Sequence, residues 1–437
     1  MCALGSALRE QGLEAAARTE FERAAAFAPH EAGGWYHLGT VKQAATDLPG
    51  AAALYRRALQ QEPEHLWALA NLGTVLAEDC RHTEAISVFS RALHQAEGAQ
   101  AGLFGRTELA SLHYQLGRSF NRIADDRCGV GGTGSCRRYA EEQFSAALSA
   151  RPDHVLAAWE QAALVGDPDG LVEQEGADVE YVRSLFGAVA ETYDASAARR
   201  RYAAPARVAA AVAALVGPTR RLGDVLDLGC GTGLSGAALR AVPGLFGGRL
   251  VGVEAVPEML EAAQAKTTLY DATVSGEAAE ELAEVLASGR LYDLVAAVDV
   301  LPYVRDVAPV LEGAAAVLGR RGLLAVTVDL PQQEDGGGAS EGDADFDLEW
   351  TLLRDGRFAH GPSMVLRIAV RAGLAPVAKE RVVLRHERGR PVVGLVLVFQ
   401  KLVAEDDGSD GAAGGVDWTT RAPVPAAPAG GGGLVIE

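Results

Sequence analysis

Apolar positions along the first 165 residues recur at helical spacing, with alanine at many of them and no strand-like alternation. The helical pattern is itself periodic. Leu4-Gly5, Leu38-Gly39 and Leu72-Gly73 lie 34 residues apart, as do Ala17, Ala51 and Ala85, then Phe21, Tyr55 and Phe89, then Ala24, Ala58 and Ala92. Pro29 and Pro63 close the first two units. A fourth unit starts at Leu116-Gly117 and Phe120 and finishes with Ala140, Phe144, Ala147 and Pro152. About eleven extra residues around Asp125 to Cys136 are expected to form a surface loop between its halves. A helix from His154 to Leu164 caps the stack. An acidic, glycine-bearing stretch at 166–180 reads as a linker. One more helical segment, Tyr181 to Val216, precedes a change of pattern: short apolar runs alternate with helical ones, as in a parallel sheet covered by helices. Strands are expected at Val225–Leu228, Arg249–Glu254, Ala272–Ser275, Leu291–Val298, Leu323–Asp329, Arg381–His386 and Val392–Lys401, the last antiparallel. Gln332 to Asp345 reads as mobile, and Asp406 to Glu437, with little to bury, as disordered. The expected domains are thus 1–165, a linker at 166–180, 181–402 and a tail at 403–437.

The 34-residue period and its residue pattern are those of tetratricopeptide repeats. Small residues let the two helices of a unit approach, the aromatic fills the gap to the next unit, and proline stops the second helix. Such arrays bind a protein partner in a concave groove or serve as scaffold, and both readings stay open. The first unit begins at its fourth residue, so Met1 is expected either to truncate a longer chain or to open an incomplete helix.

The densest chemistry lies in Asp224-Val225-Leu226-Asp227-Leu228-Gly229-Cys230-Gly231-Thr232-Gly233, a buried strand running into a glycine turn and then a helix. Glycines at alternate positions let the backbone approach a ligand and adopt φ > 0. A dinucleotide fingerprint would need glycine where Leu234 stands, and the Gly-Lys-Ser/Thr of a P-loop is absent. The next strand ends in Glu254, whose carboxylate can accept two hydrogen bonds from a pair of vicinal hydroxyls.

The D-L-G-C-G-T-G run with its downstream acid resembles the first motif of the class I methyltransferases that use S-adenosylmethionine. The chain as a whole, tetratricopeptide repeats included, resembles a family of predicted repeat-bearing methyltransferases through Phe186-x-x-x-Ala190-x-x-Tyr193-Asp194, the Asp299-Val300-Leu301-x-Tyr303 loop, Gly356-Arg357-Phe358-Ala359-His360 and Gly389-Arg390-Pro391. The resemblance implies an α + α/β fold, an all-α repeat solenoid followed by a Rossmann-like seven-stranded sheet. It implies S-adenosylmethionine as cofactor, held by Asp227, Gly229, Cys230, Gly231, Gly233, Glu254, Ala255, Met259 and Glu277, with Asp299 and Val300 at the methyl donor. Tyr193 and Tyr202 belong to a lid segment over it. Gly187 stands where relatives carry Asp, and Glu277, toward the adenine, where they carry Asp. Asp299, Tyr303 and His360 are the candidate catalytic groups, and Arg357 and His360 the candidates to line an acceptor pocket. The expected acceptor is a small organic molecule, such as a carboxylate near an arginine. A protein presented by the repeats is the second choice, and the rival to any enzyme is a repeat adaptor whose methyltransferase fold has lost its chemistry.

Composition narrows the partners. A formal net charge of −18 argues against a general nucleic-acid or anionic-membrane binder. No apolar run is long enough to span a bilayer, and the start lacks the pattern of a secretory leader. A cytoplasmic location follows as the expectation. Of five cysteines only Cys128 and Cys136 are close, no zinc pattern completes them, and free thiols are expected.

Overall fold

The computed structural model describes residues 1–98, 100, 102–123, 135–165, 177–330, 350–353, 355–387 and 390–402. Most of the linker, the inserted loop, the acidic stretch after the fifth strand and the tail therefore lie outside the described residues.

The repeat region consists of antiparallel helix pairs: α1 (Cys2–Glu10) with α2 (Glu14–Phe27), α3 (Ala32–Ala44) with α4 (Leu48–Gln61), α5 (Leu66–Glu78) with α6 (His82–Glu97), and α7 (Arg106–Asn121) with α8 (Ser135–Ala150). The periodic residues make each pair. Gly5, Gly39, Gly73 and Gly117 lie under the rings of Phe21, Tyr55, Phe89 and Phe144 of the same unit, and a Cβ at any of the four would run into the ring. The aromatics therefore close their own unit first. Phe21 also reaches the next one, stacking on His37 at 4.7 Å. The helix α9 (Val155–Val165) packs on α8 and completes this core. One cysteine departs from expectation: Cys136 is disulfide-bonded, to a partner outside the described residues.

The second region is a seven-stranded sheet of order β3-β2-β1-β4-β5-β9-β8. Its strands are β1 (Val225–Leu228), β2 (Leu250–Glu254), β3 (Ala272–Ser275), β4 (Tyr292–Ala297), β5 (Leu318–Asp329), β8 (Leu374–Glu387) and β9 (Arg390–Lys401). β1 to β5 are parallel, and β9 runs antiparallel between β5 and β8. Successive residues of a strand point to opposite faces. Leu226 and Leu228 pack with Leu282, Leu311 and Val365 of α15 (Ala278–Ala287), α16 (Ala308–Val317) and α17 (Pro362–Arg371). Val225 packs on the other face with Val208, Val212 and Leu239 of α12 (Ala204–Val216) and α13 (Leu234–Arg240). α14 (Pro257–Gln264) follows β2 with its proline in the first turn.

Between the two regions the chain supplies α10 (Ala177–Gly187), a short 3-10 turn (Ala190–Thr192) and α11 (Tyr193–Arg199). A two-stranded hairpin, β6 (Trp350–Leu352) and β7 (Phe358–His360), was not expected from the sequence. Its turn joins the regions. The Trp159 indole N–H of α9 donates to the Gly356 carbonyl at 2.9 Å, and the Tyr181 hydroxyl donates to that of Asp355 at 3.3 Å. Trp159 and Tyr181 stack at 4.6 Å, and Phe358 meets Trp159 edge-on. Gly356 has φ +82°, and a side chain there would collide with Tyr181.

Candidate functional site

The carboxyl ends of β1, β2 and β4 open into a cavity of about 430 Å³. β1 delivers the chain to Gly229, Gly231 and Gly233, all in the left-handed region at φ +63°, +53° and +94°. A Cβ at Gly229 would strike Val300, whereas at Gly231 the nearest atom, Met259 Cε, is 3.5 Å away. Gly231 thus leaves open space toward the cavity. Glu254 fastens this turn to β2. Its Oε2 accepts from Gly231 N at 2.8 Å and its Oε1 from Val256 N at 2.9 Å. A carboxylate oxygen has two acceptor positions, so capacity toward the cavity remains. Burial raises the Glu254 pKa, and the backbone donors oppose it.

Of the residues expected at a cofactor, Gly229, Cys230, Gly231, Glu254, Ala255 and Met259 line this cavity. So do Glu277, Asp299, Val300, Tyr193 and Tyr202. Asp227 and Gly233 do not. Asp227 is fully buried, and its Oδ2 accepts from the hydroxyls of Ser235 at 2.6 Å and Tyr270 at 2.7 Å. Burial lifts its pKa to about 6. Gly233 gives φ > 0 at the start of α13, packed against Leu269.

The candidate catalytic groups separate. Asp299 and Tyr303 reach the cavity. Asp299 sits just beyond β4 at φ +62°, a left-handed conformation that Asp tolerates better than most residues. Its N–H donates to Thr327 Oγ1 at 2.7 Å, and Arg385 Nη1 donates to both carboxylate oxygens at 3.3 and 3.4 Å. Burial raises the Asp299 pKa, and Arg357 and Arg200 pull it back. Burial also raises Tyr303 and Tyr202 well above the usual phenol range and Tyr193 to about 12, so all three remain O–H donors. His360 is absent from the cavity wall. It is 1% exposed, with Nε2 donating to the carbonyls of Leu301 at 3.0 Å and Val304 at 2.9 Å. Burial holds the imidazole below its ordinary pKa. The ring therefore clamps the loop that carries Tyr303.

Arg357 is likewise absent from the cavity wall. Its guanidinium meets Asp355 Oδ2 at 2.9 and 2.5 Å, Asp329 Oδ2 at 3.2 Å and Glu387 Oε1 at 3.1 Å. A fork so occupied offers nothing to an incoming carboxylate. Arg385, which the sequence did not single out, is the other centre of this buried network. It is 2% exposed and holds Asp299, Asp329 and Glu387 together. The lid brings a further contact that sequence reasoning missed. Thr232 Oγ1 of the glycine turn donates to Asp194, which Lys266 Nζ also reaches at 2.8 Å. Asp194 and Thr232 were each legible as part of a motif, but nothing in the sequence paired them, and Lys266 carried no signal of its own.

Two family models match parts of the chain. Residues 197–365 match a family described as a methyltransferase domain, and residues 42–103 match a tetratricopeptide repeat family. No curated relative matches the chain. Solved structures similar to it include magnesium protoporphyrin IX methyltransferase from Synechocystis PCC 6803 with bound S-adenosylhomocysteine. That match is 18% identical, with TM-score 0.36, over 52% of this chain and 100% of that one. The N-methyltransferase NodS from Bradyrhizobium japonicum WM9 is 15% identical, with TM-score 0.33, over 57% and 99%. A protein from Thermotoga maritima described as a possible histamine N-methyltransferase is 16% identical, with TM-score 0.35, over 50% and 99%.

Proposed function

From the premise that this chain is a class I S-adenosylmethionine-dependent methyltransferase with an N-terminal tetratricopeptide region, we propose that it methylates a small organic molecule in the cavity at the carboxyl edge of its sheet. One observation carries the choice of a small acceptor: the polar groups beside Asp299 and Tyr303 lie in a cavity of about 430 Å³ that α10 and α11 help to wall. The sulfonium methyl supplies an activated electrophile when the cofactor is bound. The chain's contribution is positioning, which can lower such a barrier by about 7–11 kcal/mol.

In this reading the turn Gly229–Gly233 admits the cofactor backbone, Glu254 takes the ribose hydroxyls and Glu277 faces the adenine. Asp227 and Gly233 act from behind, shaping the turn. Asp299 and Tyr303 face the acceptor. His360 is a positioning residue, which fits its two bonds to backbone carbonyls. The residues 1–165 form a repeat module that meets the methyltransferase domain at 181–402 through Trp159, serving as scaffold or partner surface. Incubating the protein with S-adenosylmethionine labelled in the methyl group and a cell extract tests this. Label is expected in the small-molecule fraction, with release of S-adenosylhomocysteine. Label confined to protein would replace this reading with a protein methyltransferase whose repeats recruit the substrate.

A further inference from the structure

The wall built by α10, α11 and the loop after β4 is aromatic and acidic. The Phe186 ring stands at 79° to Tyr303 with centroids 5.1 Å apart, and at 70° to Tyr193 with centroids 5.9 Å apart. Tyr202 and Asp299 join them, and all five side chains line the cavity. Among the described residues lining it, the acids are Glu254, Glu277, Asp299 and Asp306, and the one basic side chain is Arg305. The Arg305 guanidinium lies 5.0 Å from the centroid of the Trp350 ring. Arg357 and Arg385 stand outside the wall, saturated by carboxylates. Ring faces and a carboxylate attract an organic cation and repel an anion.

Resting on the methyl-transfer reading above, we propose that the acceptor is an alkylamine, bound as its ammonium ion between these rings and Asp299. The ammonium passes one proton through Asp299 to solvent. The nitrogen lone pair then attacks the sulfonium methyl, so that the N–C bond forms as the C–S bond breaks and its electron pair stays on sulfur. The positive charge moves from sulfur to nitrogen and is never annihilated. An acidic cavity stabilises such a charge in reactant and product alike. A phenolate or carboxylate acceptor would instead bring negative charge against Asp299, whose own guanidinium partner Arg385 is already shared among three carboxylates, and among the described lining residues only Arg305, set over the Trp350 ring, could offset it. A neutral alcohol is a far weaker acid than an ammonium ion and would need a stronger base than Asp299, and neither histidine nor lysine lines the cavity among the described residues.

The test uses the full chain saturated with S-adenosylhomocysteine, which lacks the cofactor's own charge. Three probes of similar shape are titrated calorimetrically: choline, the uncharged 3,3-dimethylbutan-1-ol and the anion 3,3-dimethylbutanoate. Choline is expected to bind about tenfold or more tightly than either other probe. Asp299→Asn is expected to remove about tenfold of that preference while S-adenosylhomocysteine still binds. Tyr303→Leu, which leaves the carboxylate in place, is expected to weaken choline alone. Equal binding of the three probes, preference for the anion, or no choline binding to loaded protein would overturn the amine assignment. In the last case the rings and Asp299 would serve only the cofactor's sulfonium. Failure of S-adenosylhomocysteine itself to bind would instead strike the underlying methyltransferase reading.

Discussion

Asp227 and Glu254 end neighbouring strands, and both are buried, but their bonds differ. Glu254 accepts from two backbone N–H groups, whereas the one bonded oxygen of Asp227 takes two hydroxyls. Because Asp227 has a folded pKa of about 6 against an ordinary 3.8, the folded state keeps its proton over a range where the unfolded chain has lost it. The stability this group contributes is full below pH 4 and declines as pH rises to 6. The loss, relative to Asp227→Asn, should be about 3 kcal/mol. Urea unfolding of both proteins from pH 4 to 7 measures it, and a pH-independent difference would refute the assignment. His360→Ala frees two buried carbonyls and should cost about 2–3 kcal/mol. Turnover should fall with cofactor affinity intact and the shape of the pH–rate profile unchanged, whereas loss of one limb of that profile would make the imidazole a catalytic group. At this scale legibility divides by distance along the chain. The glycines and their nearby acid were readable because backbone geometry dictates residue type locally. Arg385 was not, because two of its three carboxylate partners lie 56 and 86 residues away.

Among the elements, the hairpin β6–β7 escaped the sequence pattern because strands of three residues have no room for alternation. β8 was expected to start at Arg381 but begins at Leu374. Its first half is largely polar or half-exposed, with a register shift beside Pro376, and this edge position blurs the period of two. The hairpin has a mechanical consequence. Its turn touches Trp159 and Tyr181 on one side, while Arg357 carries the contact inward to Asp329, which shares Arg385 with Asp299. Tyr303 also packs on the cluster of Trp159, Tyr181 and Phe358. Trp159→Ala should therefore cost about 3–5 kcal/mol and lower kcat on the acceptor more than it weakens the cofactor. Thermal unfolding and steady-state kinetics check both, and a stability loss with unchanged kcat would uncouple the hairpin from the site.

On the scale of the whole molecule, the repeat region and the sheet were separable in the sequence because one reads with a 34-residue period and the other as alternating strands and helices. Their junction was not, since a tryptophan capping a helical stack gives no sign of the carbonyl it will bond. That junction changes what a truncation means. Removing residues 1–165 deletes Trp159 and should lower turnover even for a small acceptor. Removing residues 1–98 keeps α7 to α9 on the hairpin and should spare it, whereas equal losses from both would point to an acceptor recruited by the repeats. The most direct test of the account is calorimetric titration of S-adenosylmethionine into the full chain, with Gly231→Arg and Glu254→Ala alongside. The account predicts binding at a dissociation constant on the order of micromolar, lost in both variants: Gly231→Arg fills the open space beside Met259, and Glu254→Ala releases the turn. Absence of binding to the wild type, or undiminished binding in both variants, would contradict it.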